Sequence, residues 1–202
     1  MDDKDWVYKA SLTREQYLFH EVRTTARLLN EGLSDEDTVK RIVDENLFQY
    51  PTEKSVQRMA KACIRRLRSM NDDSLISAIA TQSTETSKQI CLYAFMTDYK
   101  LVWDFMVTVI GEKYRTLDNH FTKVDVNVYM NKLAEQNPEV AEWTQDTVNK
   151  IKQVLIKTLV ENEYLDDTKS EELKPVWLNS LLENSIRNSG RLQALHAFNC
   201  FD

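Results

Sequence analysis

The chain has 202 residues, of which 42% are hydrophobic and 29% charged, and its 26 Lys and Arg face 32 Asp and Glu for a formal net charge of -6. That length can bury the core of one large domain or of two domains of about 100 residues each, and with only 3 Gly and 3 Pro few positions remain for tight turns or sheet corners, so helices are expected. Cys63, Cys91 and Cys200 are far apart and form no CxxC pair, which argues against a disulfide framework or a Cys-rich zinc site and predicts a reducing, cytoplasmic setting.

The opening MDDKDWVYKASL carries acids where a secretory signal would carry a basic stretch and an apolar run, so export by that route is not expected. Thr13 and Gln16 have capping-box spacing, and the helix they predict places Leu18, Val22 and Leu29 on one face before Gly32 stops it. Ser34 is placed to cap a short helix whose first turn, Asp35, Glu36 and Asp37, suits the positive end of the helix dipole. Pro51 ends this run, and Thr52 is placed to cap a new helix that reads KSVQRMAKACIRRLR from residue 54.

That helix is the unusual feature of the chain. Lys54, Arg58, Lys61, Arg65 and Arg68 are spaced four, three, four and three apart, which puts them within roughly an 80° arc of the helix. Val56, Met59, Ala60, Cys63 and Leu67 centre on the opposite side, and Arg66 lies off the stripe. Like charges at these spacings repel by a few tenths of a kcal/mol per pair, on the order of 1 kcal/mol over the stripe. One reading is a solvated face partly neutralised by Asp44 and Glu45; the other is a phosphate or DNA contact surface, because Lys and Arg on one helix displace counterions and Arg also reads guanine edges. The order short helix, Gln49-Tyr50-Pro51 turn, capped basic helix is that of a helix-turn-helix, which would bring Thr52, Lys54, Ser55 and Arg58 deepest and leave Lys61, Arg65 and Arg68 on backbone.

From Asp72 to Gly111 the segments SLISAIA, KQICLYAFM and KLVWDFMVTVI predict an apolar packing layer; the last is interrupted by Asp104 and is well short of the ~20 apolar residues of a membrane span. The polar stretch after Arg115 suggests a division into 1–70, 71–118 and 119–202. A helix over about 124–136 ends at Asn137-Pro138, and Thr144 or Asp146 starts a long helix with Val148, Ile151, Leu155 and Leu159 at helical spacing. Its other face carries Asn149, Lys150, Gln153 and Lys157, a second and weaker candidate DNA face in winged-helix order. Two β-favourable ends, Tyr164-Leu165 and Val176-Trp177-Leu178, predict a small hairpin wing near residues 164–178, and two short helices divided at Ser189-Gly190 complete the chain.

Catalysis finds little support. There is no Gly-rich phosphate loop, HExxH, GxSxG or clustered Cys and His, and His20, His120 and His196 are isolated, so no cofactor, metal site or catalytic residue is expected. The four Trp are dispersed and read as core or interface anchors.

Over residues 9–67, SLTRE, EGLSDED, ENLFQYPTEKS and ACIRRL together resemble the BrxA family of bacteriophage-exclusion (BREX) defence systems, and WTQDTVNKIKQVLIKTLVENEYLDD and LKPVWL are compatible with that family's C-terminal half. The resemblance implies an all-α, non-enzymatic bacterial protein with helix-turn-helix elements that binds double-stranded DNA alongside other BREX components. A likeness of the family to NusB, a helical RNA-binding factor, leaves RNA as an alternative ligand. An acidic chain could instead be an interaction scaffold whose basic stripe docks on an acidic partner.

Overall fold

The computed structural model describes residues 6–201; the acidic opening, with Asp2, Asp3 and Asp5, lies outside them. The fold is all-α, as the shortage of Gly and Pro predicts, and contacts group the chain into two compact units, residues 17–98 and residues 6–16 with 99–201. The apolar stretch 71–118 contributes to both units.

The 17–98 unit holds α1 (Phe19–Asn30), α2 (Asp35–Asp44), α3 (Glu53–Ser69), α4 (Asp73–Thr81) and α5 (Thr84–Asp98). Helix α1 packs on the other four, and α3 packs on α2 and α5. Thr13 does not open α1: residues Ala10–Thr13 form a 3-10 turn in which the Thr13 hydroxyl donates to the Ala10 carbonyl, and Leu18, in the left-handed region, is the residue before α1. The other caps follow their expected chemistry, Ser34 Oγ accepting from Asp37 N at 3.0 Å and Thr52 Oγ1 from Ser55 N at 3.3 Å.

The second unit is built around a helical rod made of α6 (Lys100–Phe105), a π-helical turn (Met106–Ile110) and α7 (Gly111–Arg115), with Leu101, Val102, Phe105 and Ile110 buried. Around it lie α8 (Lys123–Gln136), α9 (Pro138–Ala141), α10 (Gln145–Glu161), α11 (Ser180–Asn188) and a 3-10 segment (Leu192–Phe198). Helix α8 opens with a capping box of Thr122 and Asp125, and α10 is capped by Thr144. Phe105 meets Phe121 and Tyr129 edge to face, and the Tyr129 hydroxyl donates to the Leu101 carbonyl at 2.8 Å.

The expected hairpin wing forms no paired strands among the described residues. Residues 164–174 instead make a loop closed by Lys174 N–H donating to Tyr164 O at 3.0 Å, and an isolated bridge joins His120 and Glu172. Two causes are local. Asp167 Oδ1 accepts from the Lys169 and Ser170 N–H groups, which turns the chain back on itself, and Pro175 lacks the donor that a ladder would need.

Gly111 marks a close crossing of the rod with the 192–198 segment. A Cβ there would stand 2.8 Å from His196 Cβ and 3.1 Å from the His196 carbonyl carbon. Gly111→Ala therefore lowers stability by about 1–2 kcal/mol in urea unfolding, because overpacking outweighs the roughly 1 kcal/mol gained in helix propensity. A more stable variant would show that the crossing is looser than this.

Candidate nucleic-acid interface

The basic stripe is realised on α3, but its five cations are not equivalent. Lys54, Arg58, Lys61, Arg65 and Arg68 are all exposed, while the opposite face is buried against the core by Val56, Met59, Ala60, Cys63 and Leu67. Arg65 grips Asp98 in two parallel bonds, Nε to Oδ1 at 2.7 Å and Nη2 to Oδ2 at 2.9 Å, and the Asp98 side chain is only 4% exposed. Arg68 is held between Asp35 at 2.7 Å and Asp73 at 2.8 Å. Hydrogen bonding to Asp35 raises the Arg68 pKa further above its usual value, against the opposing cost of burial. The neutralisation comes from these three aspartates and not from Asp44 and Glu45; Glu45 pairs with Arg41.

Among the described residues, Lys54, Arg58 and Lys61 have no ion-pair partner, and they keep the spacing of four and three. From Lys54 to Lys61 the free stripe is about 10 Å long at 1.5 Å per residue. Thr52 and Ser55 at its start are engaged with each other: Thr52 Oγ1 donates to Ser55 Oγ at 2.9 Å and accepts from the Ser55 amide, so both side chains serve the cap.

Residues 45–52 connect α2 to α3, with Asn46 and Gln49 in the left-handed region. This connection is longer than the 3–4-residue turn typical of a helix-turn-helix. The Asp35–Arg68 pair joins the start of α2 to the end of α3, so the two run as an antiparallel hairpin. Tyr50 fastens the connection, its hydroxyl donating to Glu21 Oε1 of α1 at 2.7 Å; burial and then this bond raise its pKa well above the usual phenol value.

On α10, Asn149, Lys150, Gln153 and Lys157 all face solvent, opposite the buried Ile151, Val154 and Leu155. Asn149 accepts from Gln145 at 3.0 Å and Lys157 pairs with Glu161 at 3.4 Å, which leaves Lys150 as the one cation of this group with no ion-pair partner among the described residues.

A family model described as BrxA matches residues 6–190. The chain belongs to the BrxA family. It is 33% identical over 188 residues to the protein named "BREX protein BrxA" from Bacillus cereus (strain H3081.97), covering 93% of this chain and 94% of that one. The protein of the same name from Escherichia coli O9:H4 (strain HS) is 25% identical over 177 residues, 88% of this chain and 82% of its own. A crystal structure of an uncharacterized protein from Magnetospirillum magneticum superposes with a TM-score of 0.80 at 23% identity, covering 95% of this chain and 97% of that one, which shows a shared fold.

In this BrxA family member the features that sequence spacing did not foresee are the aspartates that occupy Arg65 and Arg68, and the burial of Arg66. Arg66 is 0% exposed, donates from Nη1 to the Tyr17 carbonyl at 2.6 Å and lies 4.2 Å from the centre of the Phe95 ring. Its position off the stripe was the available signal. Cys63, beneath the stripe, has its thiol pushed up to about 12 by burial, partly opposed by Arg66, so it is a packing group with little thiolate character. Among the described residues no three His, Cys, Asp or Glu gather as a metal ion would need, and no helix is long and apolar enough to cross a membrane. Trp177, read as an anchor, is 83% exposed.

Proposed function

We propose that this BrxA family protein is a non-enzymatic accessory of a BREX phage defence system that binds double-stranded DNA through the exposed N-terminal half of α3, held out by an antiparallel α2–α3 hairpin and not by a helix-turn-helix crossing. The reading rests on one observation: Lys54, Arg58 and Lys61 form a single-sign exposed stripe without counter-charges among the described residues. A stripe so placed gains by replacing the condensed cations of a phosphate backbone, whereas Arg65 and Arg68 must first give up Asp98, Asp35 and Asp73. The α10 face, through Lys150 with Asn149, Gln153 and Lys157, is a weaker second contact.

The proposed setting is the bacterial cytoplasm, with other BREX components as further partners. The name of the relatives, BREX protein BrxA, supports that setting. The net charge of -6 limits indiscriminate attraction to nucleic acid, so affinity has to come from the local stripe.

The test is duplex affinity measured over a salt series. Three phosphate contacts from α3 give a log–log slope of about -2.7, a loss of affinity of roughly 40-fold between 50 and 200 mM salt. A slope near zero would sink the DNA reading, and equal or tighter binding of double-stranded RNA would redirect it to RNA.

A further inference from the structure

Between α2 and α3 the hairpin leaves an open groove of about 670 Å³. Its apolar lining comes from Val39 and Val43 of α2 and Ile64 of α3. The Asp35–Arg68 ion pair closes one end. Counted from that closure at 1.5 Å per residue, Lys40 lies about 7.5 Å along α2 and Lys61 about 10.5 Å along α3, within one helical turn of the same level on opposite walls. Both lysines line the groove, both are exposed, and neither has an ion-pair partner among the described residues. Glu36 and Asp44, which also line it, sit one turn to either side of Lys40 on α2. Midway along the groove, therefore, an apolar floor is flanked by a cation on each side.

We infer that this groove docks an acidic amphipathic helix of a partner protein. Its large aliphatic or aromatic side chains at i, i+3 or i+4 would cover Val39, Val43 and Ile64, and carboxylates on both flanks of that face would meet Lys40 and Lys61. Only at mid-groove do the charges favour this occupant, because Glu36 and Asp44, one turn to either side of Lys40, restrict its carboxylates to the level of Lys40 and Lys61. A basic helix would meet lysines on both walls at the level where its apolar face seats, and a like-charge juxtaposition of that kind disfavours a partner strongly. The length fits as well, because α2 runs about 15 Å and accommodates two to three turns of a partner helix.

The site shares Lys61 with the proposed DNA surface and is otherwise distinct from it. Lys54 and Arg58 do not line the groove, and Lys40 and Val43 are not on the α3 stripe. The probe is a fluorescein-labelled helical peptide of about 15 residues with Leu at i, i+3, i+4 and i+7 and one Glu on each flank of its central turn, the outer turns being neutral, read by anisotropy against a counterpart with Lys at those two positions. The Glu-flanked peptide should bind about tenfold more tightly, and Lys40→Glu should remove most of that preference. Val43→Asp should weaken the Glu-flanked peptide at least about tenfold with an unchanged helical circular-dichroism signal. Lys54→Gln with Arg58→Gln should weaken duplex DNA and leave the peptide unaffected, so the two readings can fail independently. Equal binding of the two peptides, or an unchanged preference in Lys40→Glu, overturns the proposal. A dimer in sedimentation that Val43→Asp dissociates would overturn it in favour of a second copy of the chain.

Discussion

Arg66→Ala is expected to lower the stability of the 17–98 unit by about 3–5 kcal/mol, the usual loss when one member of a buried charged network is truncated. Arg66 is fully buried, and three contacts converge on it: the Tyr17 carbonyl at 2.6 Å, Asp98 Oδ2 at 3.7 Å from Nε, and the Phe95 ring at 4.2 Å. Truncation leaves the Tyr17 carbonyl without that donor, empties the volume beside Phe95, and leaves the Asp98 carboxylate, its side chain 4% exposed, to Arg65. Arg66→Met separates these causes. It refills the volume without restoring charge or hydrogen bond, and because Asp98 keeps its two bonds to Arg65, Met should recover at least half of the loss. Denaturant unfolding of both variants reads the result. If Met is as damaging as Ala, the polar contacts dominate; if neither variant is destabilised, the network contributes nothing.

Replacing Lys54, Arg58 and Lys61 together by Gln should reduce the salt dependence of duplex binding by about 2.7 in log–log slope, close to 0.9 for each phosphate contact removed. At low salt the affinity should fall about a hundredfold, for three charge-assisted contacts of roughly 1 kcal/mol each. The informative comparison is Arg68→Gln. By spacing alone Arg68 belongs to the same stripe, but it is held by Asp35 and Asp73, so its replacement should change the slope by less than about half a unit. Arg65 is a poorer control, because removing it also disturbs the Asp98 network beneath. Were Arg68→Gln to match the effect of the free cations, the distinction between held and free positions would be wrong. All five side chains are exposed, so a melting curve suffices to verify folding.

Local chemistry was legible in the sequence where the answer depends on a few neighbouring residues. Ser34 and Thr52 cap their helices because an Oγ at that position meets the orphan amide three residues on, whatever the rest of the chain does. Thr13 has similar spacing to Gln16, yet its hydroxyl turns back to the Ala10 carbonyl, because residues 10–13 form a 3-10 turn that packs against α10 from the far end of the sequence. The wing failed for a related reason. Tyr164 and Val176 have strand propensity, but Asp167 satisfies the loop backbone locally, and the segment bonds instead to residues 119–121, as when Leu173 N–H donates to Asn119 O at 2.8 Å.

The all-α class, the positions of most helices and the alignment of five cations on one face of α3 follow from the order of residues alone, since 3.6-residue periodicity and capping act within a few residues. Which of those cations are available depends on how the helices pack. Asp35 and Asp98 each lie 33 residues from the arginine they hold, a separation at which no spacing rule operates, and packing of α2 and α5 against α3 brings them there. The same packing leaves Lys40 and Lys61 on facing walls of a groove that neither helix could form alone.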